Sequence, residues 1–172
     1  VHMSRGLGDV YKRQLLEKGT EKIIEDIYTA AEKNNCNIII PVDCIVSDNF
    51  NGSPKHKSIN EITSEDMVLD IGKKTVDLIN KTIENSKTVF WNGPAGYFEN
   101  KNFSNGTIAI AKKIGENTQS KSLISIVGGG DTLAAIKNTE YQKLFTHLST
   151  AGGAFLESLE GKQLPGVKVL TN

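Results

Sequence analysis

The stretch Leu123–Ile136 reads LISIVGGGDTLAAI. An apolar run of strand length ends in three glycines, Asp131 and Thr132 follow, and an apolar pattern with helical spacing begins. A strand that turns straight into a helix through glycines leaves backbone N–H groups pointing outward at the helix N-terminus, where the helix dipole adds positive potential. Glycine has no Cβ to hold a phosphate away. Asp131 adds a carboxylate that would repel a bare phosphate but suits Mg²⁺ already bound to phosphate oxygens. The segment by itself points to a Mg-nucleotide or another phosphate ligand. The competing account is a tight turn with Asp131 as the N-cap of its helix.

Two common phosphate-binding motifs are excluded. No G-x-x-x-x-G-K-[ST] occurs, and Gly128-x-Gly130 is followed by Leu133 where a dinucleotide fingerprint carries its third glycine or alanine. The 172 residues suffice for one ordinary domain with a core. Twenty basic and twenty acidic residues balance, with no basic patch dense enough for nucleic acid. No apolar run reaches membrane-spanning length, and no secretory leader pattern is seen. Cys36 and Cys44 do not make a disulfide framework, so a cytoplasmic setting is expected; the cysteines and histidines lack zinc-site spacing.

The opening VHMSRGLGDVYKRQ has no sustained helix or strand period and holds both arginines, Arg5 and Arg13; every Lys or Arg from Leu15 to Asn172 is lysine. Residues 1–14 are therefore expected to be a foreign or disordered leader, and 15–172 the folded part. Arginine supplies the planar fork that binds carboxylates and phosphates bidentately. A chain without it past Arg13 is suited to one ligand, not to a nucleotide plus a doubly anionic acid.

Periodicity places helices over Glu21–Asn35, Thr75–Asn85 and Ile108–Ile114, one from about Thr132, and a short one after Gly153 that stops at Gly161. Strands are expected at Asn37–Val42, Thr88–Trp91, Leu123–Val127 and Leu144–Leu148, with a loop over Asp48–Glu61. This alternation predicts an α/β, Rossmann-like three-layer domain with a parallel sheet. Ligands of such sheets sit beyond the carboxyl ends of the strands. The segments to read are then Pro41–Asp48, Asn92–Glu99, Gly128–Asp131 and Ser149–Gly153. Asn92 offers an amide and Glu99 could accept from two neighbouring hydroxyls, as a ribose presents them. Trp91 and Phe98 are expected in the core. STAGGA at Ser149–Ala154 is a second glycine turn into a helix N-terminus. Asp70 is expected to cap a helix.

In order along the chain stand Ile40-Pro41-Val42-Asp43, Leu69-Asp70-Ile71-Gly72, WNGP-x-G-x-FE from Trp91, GGGDT from Gly128, ST-x-GGA-x-LE from Ser149 and EGK-x-LPGV from Glu160. This set resembles phosphoglycerate kinase from about Leu15 to Leu170, and specifically its C-terminal, nucleotide-binding lobe. The resemblance implies transfer of a phosphoryl group between 1,3-bisphosphoglycerate and MgADP, giving 3-phosphoglycerate and ATP, with ATP/ADP and Mg²⁺ as ligands. It places Gly72 near the adenine, Glu99 on the ribose, and Asn92 and Pro94 along the nucleotide channel. It sets Gly129, Gly130 and Thr132 on the phosphates, Asp131 on Mg²⁺, and Gly130 and Gly153 at the transferring phosphoryl group. It also implies a monomeric parent whose N-terminal lobe takes 3-phosphoglycerate or 1,3-bisphosphoglycerate.

Departures accompany the matches. Ala151 replaces the first glycine of the family's ST-GGG-A, and Lys73 stands where proline usually follows LD-x-G. The family's glycine-lysine loop, its arginine-bearing lobe and the first two strands of the nucleotide lobe are not matched. The expectation is a kinase fragment that binds Mg-nucleotide weakly and is inactive alone. The alternatives are a stand-alone nucleotide-binding module without catalysis and a dinucleotide-using domain, against which the missing third glycine counts.

Overall fold

A computed structural model of the protein describes residues 19–164 and residue 168. The leader 1–14 and Pro165–Val167 of the last motif lie outside the described residues. The elements run α1 (Glu21–Lys33), β1 (Asp43–Ser47), β2 (Lys55–Ser58), β3 (Met67–Ile71), α2 (Lys73–Glu84), β4 (Thr88–Asn92), α3 (Asn105–Lys121), β5 (Ile124–Gly128), α4 (Gly130–Ile136), β6 (His147–Ser149) and α5 (Gly152–Leu159). Short 3-10 turns precede β3, α3 and β6. Two compact units result. The first holds the chain up to Lys81 together with Ala95–Gly106; the second holds Thr82–Pro94 and the chain from Thr107.

The second unit is the expected α/β arrangement. Its sheet has the order β4-β5-β6 and all pairings are parallel. Strands β4 and β5 are short, largely apolar runs, with Trp91 and Val127 buried. Ile110, Ala111 and Ile114 are also buried, as the helical period of α3 requires for its inward face, and so is Leu123 just before β5. Gly161, at φ 79°, ends α5 as expected.

The first unit departs from expectation. Its sheet is antiparallel, in the order β2-β1-β3, and its core is Cys44, Val46 and Ile62 packed with Ile59 and Val68. Asn37–Val42, expected as a buried strand, is outside every described strand, and pairing begins at Asp43 instead. Pro41 has no N–H to give a ladder. The expected loop over Asp48–Glu61 contains β2, whose sequence KHKS has no apolar residue to show a strand period. Its partnership with β1 rests on backbone hydrogen bonds, and lysines on such a strand are a common guard against edge pairing. The expected strand at Leu144–Leu148 is shifted to His147–Ser149, because a 3-10 turn occupies Glu140–Leu144.

Two carboxylates tie the first unit together. Asp43 is buried and accepts from the backbone N–H groups of Lys74 (3.0 Å) and Thr75 (2.8 Å) and from the Thr75 hydroxyl (2.7 Å), so it closes the N-terminus of α2. His56 Nε2 lies 2.7 Å from its other side. Burial pulls the Asp43 carboxyl upward, but His56, Thr75 and the two amides outweigh it and hold the group down at about 2. Asp70 caps a helix as expected, though not the one that follows it. It accepts from Gly106 N–H (2.9 Å), at the start of α3, and from Ile71 N–H (2.9 Å). Burial dominates there and pushes the Asp70 carboxyl up to about 6 against those donors.

Candidate functional site

In the second unit the strand register aligns Asn92 with Gly128 and Gly128 with Ser149. These three residues lie side by side at the carboxyl ends of β4, β5 and β6. The loops that leave them are the three glycine-bearing segments picked out in the sequence, and α4 and α5 start two and three residues further on. Their first N–H groups have no intrahelical acceptor. The fourth segment expected at this edge, Pro41–Asp48, is instead largely β1 of the first unit.

The loops are fixed by hydrogen bonds that cross between them. Gly93 N–H donates to the Thr132 hydroxyl at 2.7 Å, and Gly129 N–H donates to the Ser149 carbonyl at 3.2 Å. Trp91, buried as expected, donates its indole N–H to the Gly93 carbonyl at 2.8 Å. Gly93 and Gly129 take φ of 106° and 92°, a region that side chains rarely enter. Thr132 is fully buried, so its hydroxyl serves as the bolt between the WNGP loop and α4.

Asn92 sits where the loops converge. A Cβ on Gly152 would stand 2.4 Å from Asn92 Oδ1 and 2.5 Å from the Gly129 nitrogen; one on Gly129 would stand 2.8 Å from Asn92 Oδ1. Both glycines are therefore required by packing. Gly130 and Gly153 differ, because a Cβ on either meets nothing within 4 Å. Asn92 Oδ1 is buried, and no hydrogen bond reaches it among the described residues. Buried polar atoms of this kind are rare and call for a donor. The Gly152 contact was not read from the sequence; a glycine preceding Gly153 in a helix-start turn was the available signal.

Asp131 is not the N-cap. Gly129 holds that position with no side-chain cap bond, and Asp131 falls in the first turn of α4, exposed. The positive φ of Gly129 starts the helix before the chain reaches Asp131, which leaves the carboxylate beside the N-terminus rather than on it. No group of three or more His, Cys, Asp or Glu that could hold a metal occurs among the described residues. A single hard carboxylate of this kind fits magnesium held mainly by phosphate oxygens, and does not fit a metal bound by protein alone. Pro94 is half-buried in the turn after Gly93. Ala151, the departure from the family glycine, takes φ −93° and ψ 50°, which alanine reaches without positive φ.

Gly72 and Glu99 belong to the first unit. Gly72 is buried, and a Cβ there would meet the Asp43 carboxylate at 2.3 Å. Glu99 is exposed in the turn after Phe98. Phe98, expected in the core, is half-buried.

The family model described as phosphoglycerate kinase matches residues 6–162, a span that opens inside the stretch read as a leader. The phosphoglycerate kinase of Zymomonas mobilis is 42% identical over 160 residues, 92% of this chain and 40% of that protein. That of Bradyrhizobium diazoefficiens is 45% identical over 160 residues, with the same coverage. The solved phosphoglycerate kinase from Coxiella burnetii superposes with a TM-score of 0.84 at 38% identity, covering 94% of this chain and 41% of that one. The one from Pyrococcus horikoshii gives 0.73 at 26% identity, covering 90% and 37%. The chain thus spans about 40% of the length of the curated relatives it matches.

Proposed function

The chain belongs to the phosphoglycerate kinase family, and from that premise we propose that its second unit holds the phosphate end of MgADP or MgATP at the carboxyl edge of β4, β5 and β6. The observation that carries the reading is the junction of Asn92, Gly129 and Gly152. Two helix starts meet there beside Asn92, in a packing too tight for a side chain on either glycine.

The geometry supports a role for each of these residues. The N–H groups opening α4 and α5 donate to phosphate oxygens, and the two helix dipoles add to their effect. Gly130 and Gly153 keep the space in front of those donors open. Asn92 would offer its side-chain NH2, not its buried oxygen, to the terminal phosphates, and the Thr132–Gly93 bond keeps the loops from parting. Asp131 would hold magnesium, which supplies neutralisation of charge on the phosphate oxygens. The proposed parent reaction is the family's phosphoryl transfer between 1,3-bisphosphoglycerate and ADP, in which catalysis is chiefly positioning and charge stabilisation. In this reading the chain supplies the nucleotide side of that reaction.

Calorimetric titration of the full chain with MgADP, alongside Asp131→Asn, tests the proposal. Saturable, magnesium-dependent binding is expected, weakened about tenfold or more in the variant. A folded chain that takes up no MgADP, or an Asp131→Asn chain that binds as the original does, overturns the site.

A further inference from the structure

Asparagine followed by glycine occurs three times, at Asn51-Gly52, Asn92-Gly93 and Asn105-Gly106. Such a pair is chemically labile, because glycine has no Cβ to keep its nitrogen from attacking the asparagine side-chain carbon. The attack needs the asparagine backbone to rotate out of strand or helix geometry, and it needs the glycine N–H to give up its proton. The fold meets these demands differently at each pair.

Asn92 ends β4 in register with Gly128, and Gly93 N–H is held by the fully buried Thr132 hydroxyl at 2.7 Å. Asn105 opens α3, and the buried Asp70 carboxylate holds Gly106 N–H at 2.9 Å. Asn51 lies exposed in the turn between β1 and β2, outside any strand or helix. Gly52 N–H donates to the carbonyl of Asn49, an exposed residue, at 3.2 Å, where water competes for the bond. A Cβ on Gly52 would stand 2.3 Å from Ser47 Oγ and 2.4 Å from Asp48 Oδ1, so the turn favours glycine there although glycine makes the pair labile.

We propose that Asn51 is a self-modification site, with water as its co-reactant, whose product unlatches the β1–β2 turn. The Gly52 nitrogen bonds to Asn51 Cγ, and its proton departs with the side-chain nitrogen as ammonia, which closes a succinimide ring. Water then adds to one of the two ring carbonyl carbons, and the carbon–nitrogen bond at that carbon breaks. Breakage at Cγ gives aspartate. Breakage at the main-chain carbonyl gives isoaspartate, in which the chain runs through Cβ and Cγ and is longer by one methylene. Either product exchanges a neutral amide for a carboxylate, in a chain whose formal charge is zero. The latch is the residue next to it. The Phe50 carbonyl accepts from Asn100 Nδ2 at 2.8 Å, and the Phe50 ring packs on Tyr97 with centroids 4.9 Å apart. A methylene and a charge inserted beside Phe50 draw both contacts apart. All of these residues lie in the first unit, and the inference stands or fails without the nucleotide reading.

The test ages the full chain at mildly alkaline pH, folded and in urea. Peptide mapping by mass spectrometry follows each of the three asparagines, and enzymatic methylation of isoaspartyl carboxyl groups identifies the lengthened product. In the folded chain Asn51 is expected to convert at least about tenfold faster than Asn92 and Asn105, and in urea within about threefold of them. Amides of residues 97–103 in the aged, folded chain are expected to exchange hydrogen about threefold or more faster than in the fresh one. Asn51→Gln places the side-chain carbonyl one methylene too far for this ring and is expected to age without the faster exchange. Three outcomes overturn the proposal: Asn51 converting no faster than the other two in the folded chain; the same preference for Asn51 in urea, which would make flanking sequence and not the fold its cause; and exchange at residues 97–103 that conversion leaves unchanged or that quickens equally in Asn51→Gln.

Discussion

Four glycines at the edge of the parallel sheet do two different jobs, and the distinction is a matter of ångströms. Gly152 and Gly129 are held against Asn92, whereas Gly130 and Gly153 face open space. An alanine at 152 would put its Cβ 2.4 Å from Asn92 Oδ1 and 2.5 Å from a backbone nitrogen that has no rotamer to escape into. Overpacking of this kind costs about 1–3 kcal/mol. Gly152→Ala is therefore expected to lower the melting temperature clearly. Gly130→Ala and Gly153→Ala are expected to melt as the original or slightly higher, since alanine loses less backbone entropy on folding. If the open glycines face the phosphates as proposed, these two variants bind MgADP about fivefold or more weakly, although their fold is intact. Thermal denaturation paired with calorimetry separates the cases. A Gly152→Ala chain that melts normally disproves the close packing, and normal MgADP binding by Gly130→Ala and Gly153→Ala reduces those residues to turn formers.

At the scale of elements, acidic residues on strands close the N-termini of helices. Asp70 on β3 reaches Gly106 at the start of α3, and Gly96 and Gly106 crowd it so closely that a Cβ on either would meet its carboxylate. Its folded-state carboxyl is raised to about 6, so the folded protein holds a proton that the unfolded chain gives up at lower pH. The stability Asp70 contributes is thus fully present below about pH 4 and is lost as pH rises through 6. Asp43, held down at about 2, works in the opposite sense: its contribution is present above about pH 4 and lost as pH falls toward 2. Denaturant midpoints for the original chain and Asp70→Asn, taken from pH 4 to 7, isolate the first effect. The variant loses one of the two acceptor positions and is expected to be about 1–3 kcal/mol less stable at pH 4, with the gap narrowing as pH rises. A gap that stays constant across this range disproves the raised carboxyl.

The same elements show what periodicity can and cannot reveal. Helices α1, α2 and α3 were legible because their apolar residues repeat with the helical period, and strands β4 and β5 because they are short apolar runs. β2 was not, since its partner is a backbone and its side chains are polar. NIIIPV misled because apolar content alone does not make a strand: Pro41 has no N–H to give a ladder, and pairing begins at Asp43. The three site loops were legible because their glycines stand within a few positions of strand ends. The approach of Gly152 to Asn92 was not, because it joins residues sixty positions apart through the sheet register.

For the whole molecule the question is whether one side of a phosphoryl transfer amounts to an activity. Transfer needs donor and acceptor held in line within a near-attack distance, and positioning supplies most of the rate. The family match covers about 40% of the relatives' length, and past Arg13 the chain offers only lysines as permanent cations. Lysine binds phosphate as a point charge, without the bidentate fork that fixes the orientation of a carboxylate-bearing acceptor. A chain that binds MgADP at the β4-β5-β6 edge is therefore expected to show no turnover above background with MgATP and 3-phosphoglycerate in a coupled assay. Kinases of this general class turn over at about 1–100 s⁻¹, so the distinction is large. Turnover at that rate would mean that the acceptor is held by residues of this chain, and the division of labour proposed here would be wrong. MgADP binding without turnover would assign the nucleotide half of the reaction to this chain. The acceptor half would then be supplied by residues that the relatives carry outside the matched span.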